Sequence, residues 1–167
     1  MSAESSGRVI AVCVGSGGIP KHPVAEAAVT ALGLEGDGHR FHLHGGPNRA
    51  VCLFSVADYA ALARDGVAAT APGAFGENLL LDGVDFERLR PGDRLTVGCG
   101  DEPGDSAAVV LEIHDVREPC GTLKKVDRRF PNLMVGRSGW LCRVVTGGRV
   151  RPGDTVRVEP GPRRDGA

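Results

Sequence analysis

The chain has 167 residues, of which 25% are charged and 41% hydrophobic, and a formal net charge of -1. That length suits one domain able to bury about 70% of the surface its unfolded chain would expose, without disulfide or metal staples. The near-neutral balance leaves no electrostatic footprint for nucleic acid or an anionic membrane, and no run approaches the ~20 apolar residues of a membrane span.

The opening "MSAESSGRVIAVCVGSGG" has no basic segment and no long apolar core, so no signal peptide is expected, and a reducing cytoplasm is the expected compartment. Residues 1–7 and 160–167 are expected as flexible ends around a single domain at 8–159. Within it, 25 glycines and 11 prolines punctuate short apolar runs. "GRVIAVCVG" (7–15) reads as a buried strand and "RAVCLFS" (49–55) as another, while "AAVTALGL" (27–34) could be strand or helix, with Gly33 and the turn-rich flanks favouring strand. "SVADYAALARDG" (55–66) is the clearest helix. Ser55 and Asp58 form a capping pair, Val56, Tyr59, Ala60 and Ala63 share a face, and Gly66 ends it. Further strands are expected at 78–81, 93–98, 107–116, 139–145 and 154–159, with a short helical turn in 122–130. "RPGDRLTVG" (90–98) and "RPGDTVRVE" (151–159) echo each other, each a Pro-Gly turn leading into an alternating strand. Many short strands with few helices imply a mainly β fold, a barrel with a few peripheral helices outside it.

Three histidines, His39, His42 and His44, fall within "GDGHRFHLHGGPNR". In an extended segment His42 and His44 share a face and His39 points the other way. A metal pair of this kind usually recruits a nearby carboxylate, and Gly45, Gly46, Pro47, Asn48 and Arg49 supply none. Surface or turn histidines are the alternative, and Gly45-Gly46 with Arg49 could instead admit an anion.

The cysteines are odd in number (13, 52, 99, 120, 142) and contain no C-x-x-C pair, which argues against a disulfide framework and a zinc knuckle. Cys13, Cys52 and Cys142 lie in apolar strands, where a small thiol fills space, and Cys99 sits at a strand end. Cys120 stands apart in the loop "DVREPCGTLKKV", with Arg117, Lys124 and Lys125 close by. Cations favour the thiolate, the nucleophilic and metal-binding form.

Taken together and in this order, "GIPKHPV", "GLEGDGHRFHLHGGPNRAVCLFS", "PGAFGENLL", "PGDRLTVG", "VREPCGTL" and "GRSGWLCRVVTGGRVRPGD" resemble the MOSC domain. This module is named for the C-terminal part of molybdenum-cofactor sulfurase. The resemblance spans roughly residues 8–158 and is nearest to small bacterial stand-alone members, some of which reduce N-hydroxylated compounds. It implies a β-barrel that cradles the pterin-based, molybdopterin-type molybdenum cofactor. Cys120 matches the signature cysteine, which would be both the catalytic residue and the thiolate ligand to molybdenum. By their place in the motifs, Lys21, His39, Asn48, Arg49, Asn78 and Arg117 match the cofactor pocket. Lys21 and Arg49 would meet the terminal phosphate, Asn78 the pterin or an oxo group, and His44 with Gly45-Gly46 would shape the loop above. The implied partners are a small-molecule substrate and either an electron-donor protein or a cofactor-receiving enzyme.

Two departures stand out. Gly121-Thr122-Leu123 occupies the place where many members have a lysine two residues after the cysteine. The tail "EPGPRRDGA" is shorter than the helical extension of the better-known bacterial reductases. Three functions follow: a molybdenum-dependent oxidoreductase, a sulfur or cofactor carrier using Cys120 as persulfide or ligand, and a metal-dependent barrel built on His39, His42 and His44.

Overall fold

The structure, a computed structural model, describes residues 6–38, 46–68, 71–98, 108–119 and 121–162. The first strands are β1 (Ser6–Val14), β2 (His22–Val24), β3 (Ala27–Thr30) and β4 (Gly33–Leu34). Next come β5 (Val51–Ser55), helix α1 (Val56–Arg64) and β6 (Leu79–Asp82). β7 (Arg94–Val97), β8 (Val109–Val116), β9 (Trp140–Thr146), β10 (Gly148–Val150) and β11 (Thr155–Glu159) follow. Short 3-10 turns lie at Pro47–Arg49, Gly121–Lys125 and Asn132–Met134.

The expected barrel is present. The order β11-β7-β8-β9-β5-β6-β1 closes on itself because β1 also pairs with β11, and β2 adds to the free stretch of β1. These pairs are antiparallel except β5 with β6, which run parallel across α1. Alternation along each strand decides what enters the barrel. In β7, Leu95 and Val97 are buried and Arg94 is exposed, while β8 buries Val109, Leu111 and Ile113. With Val12, Val51, Leu53, Leu79, Leu81, Cys142 and Val156 they form one apolar cluster, the barrel core. β5 is buried along its whole length because its other face is covered too. Ala11, Cys13, Phe54 and Leu80 pack there under Leu62, Phe75, Leu123, Phe130 and Met134.

Both Pro-Gly corners fold alike. Gly92 and Gly153 each have φ of 95°, and the following Asp93 and Asp154 each accept the N–H of Arg90 and Arg151 at 2.9 Å. The helix cap is also as expected, with Asp58 N–H donating to Ser55 Oγ at 3.0 Å.

Three local expectations are corrected. Helix α1 packs through Val56, Tyr59 and Leu62, leaving Ala60 and Ala63 exposed, because the larger Leu62 gains more from burial than either alanine. The 27–34 run is a hairpin of β3 and β4, not one strand. Gly33, at φ 121°, turns the chain so that Thr30 pairs with Gly33 and Val29 with Leu34. β1 begins at Ser6, ahead of the expected boundary at residue 8, because Ser6 and Gly7 pair with Arg157 and Val156. Among the described residues, no helix is long and apolar enough to cross a membrane.

Candidate functional site

The site grows from the outer face of the wall formed by β1, β5 and β6. Cys13 alternates with the core residue Val12, Cys52 with Val51 and Leu53, and Asn78 with Leu79, so the three share the face turned away from the barrel core. Asn78 stitches the neighbouring strands together. Its backbone N–H donates to Cys52 O at 2.9 Å and its carbonyl accepts from Cys13 N at 2.7 Å. Its side chain repeats both links: Oδ1 accepts from Cys52 N at 2.9 Å, and Nδ2 donates to Cys13 O at 3.2 Å. The second hydrogen of Nδ2 goes to Asp37 Oδ2 at 2.9 Å. Both amide donors of this buried residue are therefore used within the protein.

Asp37 collects three donors. Lys21 Nζ lies 2.7 Å from Oδ2, beside the Asn78 amide, and Gly15 N–H donates to Oδ1 at 3.0 Å. The Lys21 and Asp37 side chains are 9% and 1% exposed, so the ion pair is desolvated on both sides. Desolvation makes such a pair nearly neutral as a whole but costly to break, about 3–5 kcal/mol when one partner is lost.

Arg117, just beyond β8, borders the same wall. Its Nη2 donates to the carbonyl of Phe75, and its own carbonyl accepts from Ser138 Oγ. Its Nη1 is buried with no partner among the described residues. These charges act on the Cys52 thiol. Burial raises its pKa, Arg117 and Lys21 pull it down, and Glu77 pushes it up. Burial, with Glu77 adding to it, lifts Cys13 to about 12. Glu77 is fully buried; its Oε1 accepts from Tyr59 Oη at 2.5 Å and from Gly73 N at 2.6 Å. Glu77 Oε2 has no partner among the described residues. Burial and that carboxylate also hold the Tyr59 hydroxyl well above its ordinary value.

Of the residues expected in the pocket, Lys21, Asn78 and Arg117 gather on this wall around Cys13 and Cys52. Asn48 and Arg49 stand exposed on the 3-10 turn Pro47–Arg49 that leads into β5. Cys120, His39, His42, His44 and Gly45 lie outside the described residues. Among those described, no group of three or more His, Cys, Asp or Glu could hold a metal. A cleft of about 710 Å³, walled by Ser55, Asp58, Phe86, Glu87, Arg137 and Trp140, holds none of the expected pocket residues. Sequence reasoning missed Asp37 and Glu77. Each sits next to a feature that drew notice, Asp37 just before the histidines in "GDGH" and Glu77 just before Asn78. The available signal was an acid inside a Gly-punctuated, apolar stretch, where a charge needs a partner.

The comparisons with known proteins agree with this architecture. The MOSC domain profile matches residues 40–157. A protein called "Reductase" from Gibberella moniliformis is 31% identical over 143 residues, 77% of this chain and 23% of its own length. YflK of Bacillus subtilis is 33% identical over 84% of this chain and 62% of its own. YiiM of Escherichia coli is 32% identical over 75% of this chain and 55% of its own. The chain thus spans less than two thirds of the length of each. The crystal structure of Escherichia coli YiiM superposes with a TM-score of 0.67 and 27% identity, covering 94% of this chain and 69% of that one. YiiM from Geobacillus stearothermophilus gives 0.73 at 23% identity, over 92% and 75%, and shares the fold. A closed β-barrel with this motif order, matched across well over half its residues, belongs to the MOSC domain family.

Proposed function

We propose that this MOSC protein binds the pterin-based molybdenum cofactor, with Cys120 as thiolate ligand, and reduces N-hydroxylated small molecules. The observation that carries the reading is Arg117 Nη1, a buried cationic donor with no partner among the described residues, three positions before Cys120. A buried donor left without an acceptor is costly, more so when charged, so this position suits an anionic group of a ligand. The donor set fits an anionic cofactor that brings its own metal: a buried guanidinium nitrogen on the wall, and a soft thiolate three positions further along the sequence.

When bound, the cofactor supplies two-electron redox chemistry at molybdenum. Arg117 meets an anionic edge of the ligand and supplies a positive charge that favours the thiolate form of a nearby cysteine. Asn78 keeps β1, β5 and β6 in register beneath it. The overall reaction breaks one N–O bond: R–NHOH, two electrons and two protons give R–NH2 and water. The electrons come from a donor protein, and the compartment is a reducing cytoplasm. The relative named as a reductase supports the reaction class.

The test is metal analysis of the full chain made in a host that synthesises the cofactor. The expected result is molybdenum near one per chain, lost in Cys120→Ala while the thermal midpoint stays within a few degrees, since a loop thiol contributes about 1 kcal/mol or less. Loaded wild type should turn over an N-hydroxylated substrate with a chemical reductant. A persulfide on Cys120 without metal would point to a sulfur carrier. Zinc or iron lost on His42→Ala would point to the histidine site. Equal molybdenum in wild type and Cys120→Ala would overturn the assignment of the ligand.

A further inference from the structure

Lys21 is held at both ends. Its backbone N–H donates to Gly73 O at 2.8 Å, and its ammonium is in contact with Asp37 at 2.7 Å. Only 9% of its side chain and 1% of that of Asp37 reach solvent. An anion approaching this ammonium would come up against the Asp37 carboxylate in a poorly screened setting, where like charges repel strongly. Asp37 has both oxygens engaged, by Gly15 N–H, Lys21 and the Asn78 amide. The chain just after it is pinned as well: Gly38 N–H donates to Gly15 O at 2.6 Å, and a Cβ on Gly38 would lie 2.8 Å from Ser16 O. Arg117, in contrast, keeps a buried nitrogen without a partner among the described residues.

We infer that Asp37 is the positioning residue of this site: it takes up the charge of Lys21, ties the pair through Asn78 to β1 and β5, and leaves Arg117 as the cation that meets a bound anion. Lys21 is then the counterion of Asp37 and not an anion ligand. The inference goes beyond the cofactor reading, because it concerns which internal charges are already spent.

The test compares Lys21→Met, Asp37→Asn and the double variant of the full-length chain. Each single variant leaves one buried charge unpaired and should lower the thermal midpoint by roughly 10 °C. The double variant should recover at least half of that loss. In a proton–nitrogen NMR spectrum selective for lysine side-chain ammonium groups, Lys21 should give a slowly exchanging signal, absent in Lys21→Met and lost in Asp37→Asn. In protein made in a cofactor-producing host, molybdenum per chain should return to within twofold of wild type in the double variant. It should fall below a tenth in Arg117→Met. Additive thermal losses, an ammonium signal indifferent to Asp37→Asn, or a double variant that loads no better than Lys21→Met would each overturn the inference. If wild type carries no molybdenum, the cofactor reading fails, and the thermal cycle and the ammonium signal still decide the role of Asp37.

Discussion

Replacing Asn78 with alanine removes three hydrogen bonds at once, the buried ones to Cys52 N and Cys13 O and the partly buried one to Asp37 Oδ2. The N–H of Cys52, on a residue 8% exposed, is left without that acceptor. A buried unsatisfied group costs about 1–3 kcal/mol, and the lost bond to the Asp37 carboxylate a further ~1.5–3 kcal/mol. These terms share partners and do not simply add, so the expected loss is about 3–5 kcal/mol. For a chain of this size that lowers the thermal midpoint by roughly 10–15 °C. Urea unfolding followed by the fluorescence of Trp140 reads the loss directly. Asn78→Asp sharpens the result: it keeps the shape but sets an oxygen against Cys13 O and the Asp37 carboxylate, and should be at least as damaging at neutral pH. A loss under 1 kcal/mol for the alanine variant, or an aspartate variant as stable as wild type, would refute the strut. A cofactor lost at unchanged stability would make Asn78 a ligand contact instead.

Burial raises the thiols of Cys13, Cys52 and Cys142, the first to about 12, so none should react with iodoacetamide in the folded protein at pH 8.5 and all three should react after unfolding. The sign for stability follows. From the ordinary thiol value of 9.0 up to about 12, the unfolded chain releases the Cys13 proton while the folded chain keeps it, so stability should fall across that window. Gly73→Ala should cost roughly 2–4 kcal/mol in the same urea assay. Gly73 has φ of 90°, and a Cβ there would lie 2.2 Å from Lys21 O.

Much of the frame was legible because alternation and turn chemistry are local. The two Pro-Gly-Asp corners, the Ser55 cap and the strand at 109–116 follow from a few neighbouring residues each. The helix face was misjudged where several small side chains competed, since alanine positions carry little amphipathic signal and Leu62 decided the matter through contacts from distant segments. Of the candidate site residues, Lys21, Asn78 and Arg117 lie on one wall, although Lys21 and Asn78 are 57 positions apart in the sequence. What their side chains bind was not legible. Asp37 becomes their partner only because the chain after β4 passes the end of β1, a non-local fact that no window of sequence contains. The histidine segment and Cys120 lie outside the described residues, so their expected roles rest on the motifs alone.

The seam between β1 and β11 sets the timing of assembly. Ser6, Gly7 and Arg8 find their partners at Arg157, Val156 and Thr155, nearly the whole chain away. On the ribosome the first strand waits until almost everything else has emerged, with the edge that β11 will cover still unpaired. Hairpins such as β7–β8 can form early, but the cylinder cannot close before its last strand arrives. Folding should therefore be slow for a chain of this length, since the entropy of bringing the ends together is lost before the closing contacts return it. The nascent open edge is also where a chaperone would have most to protect.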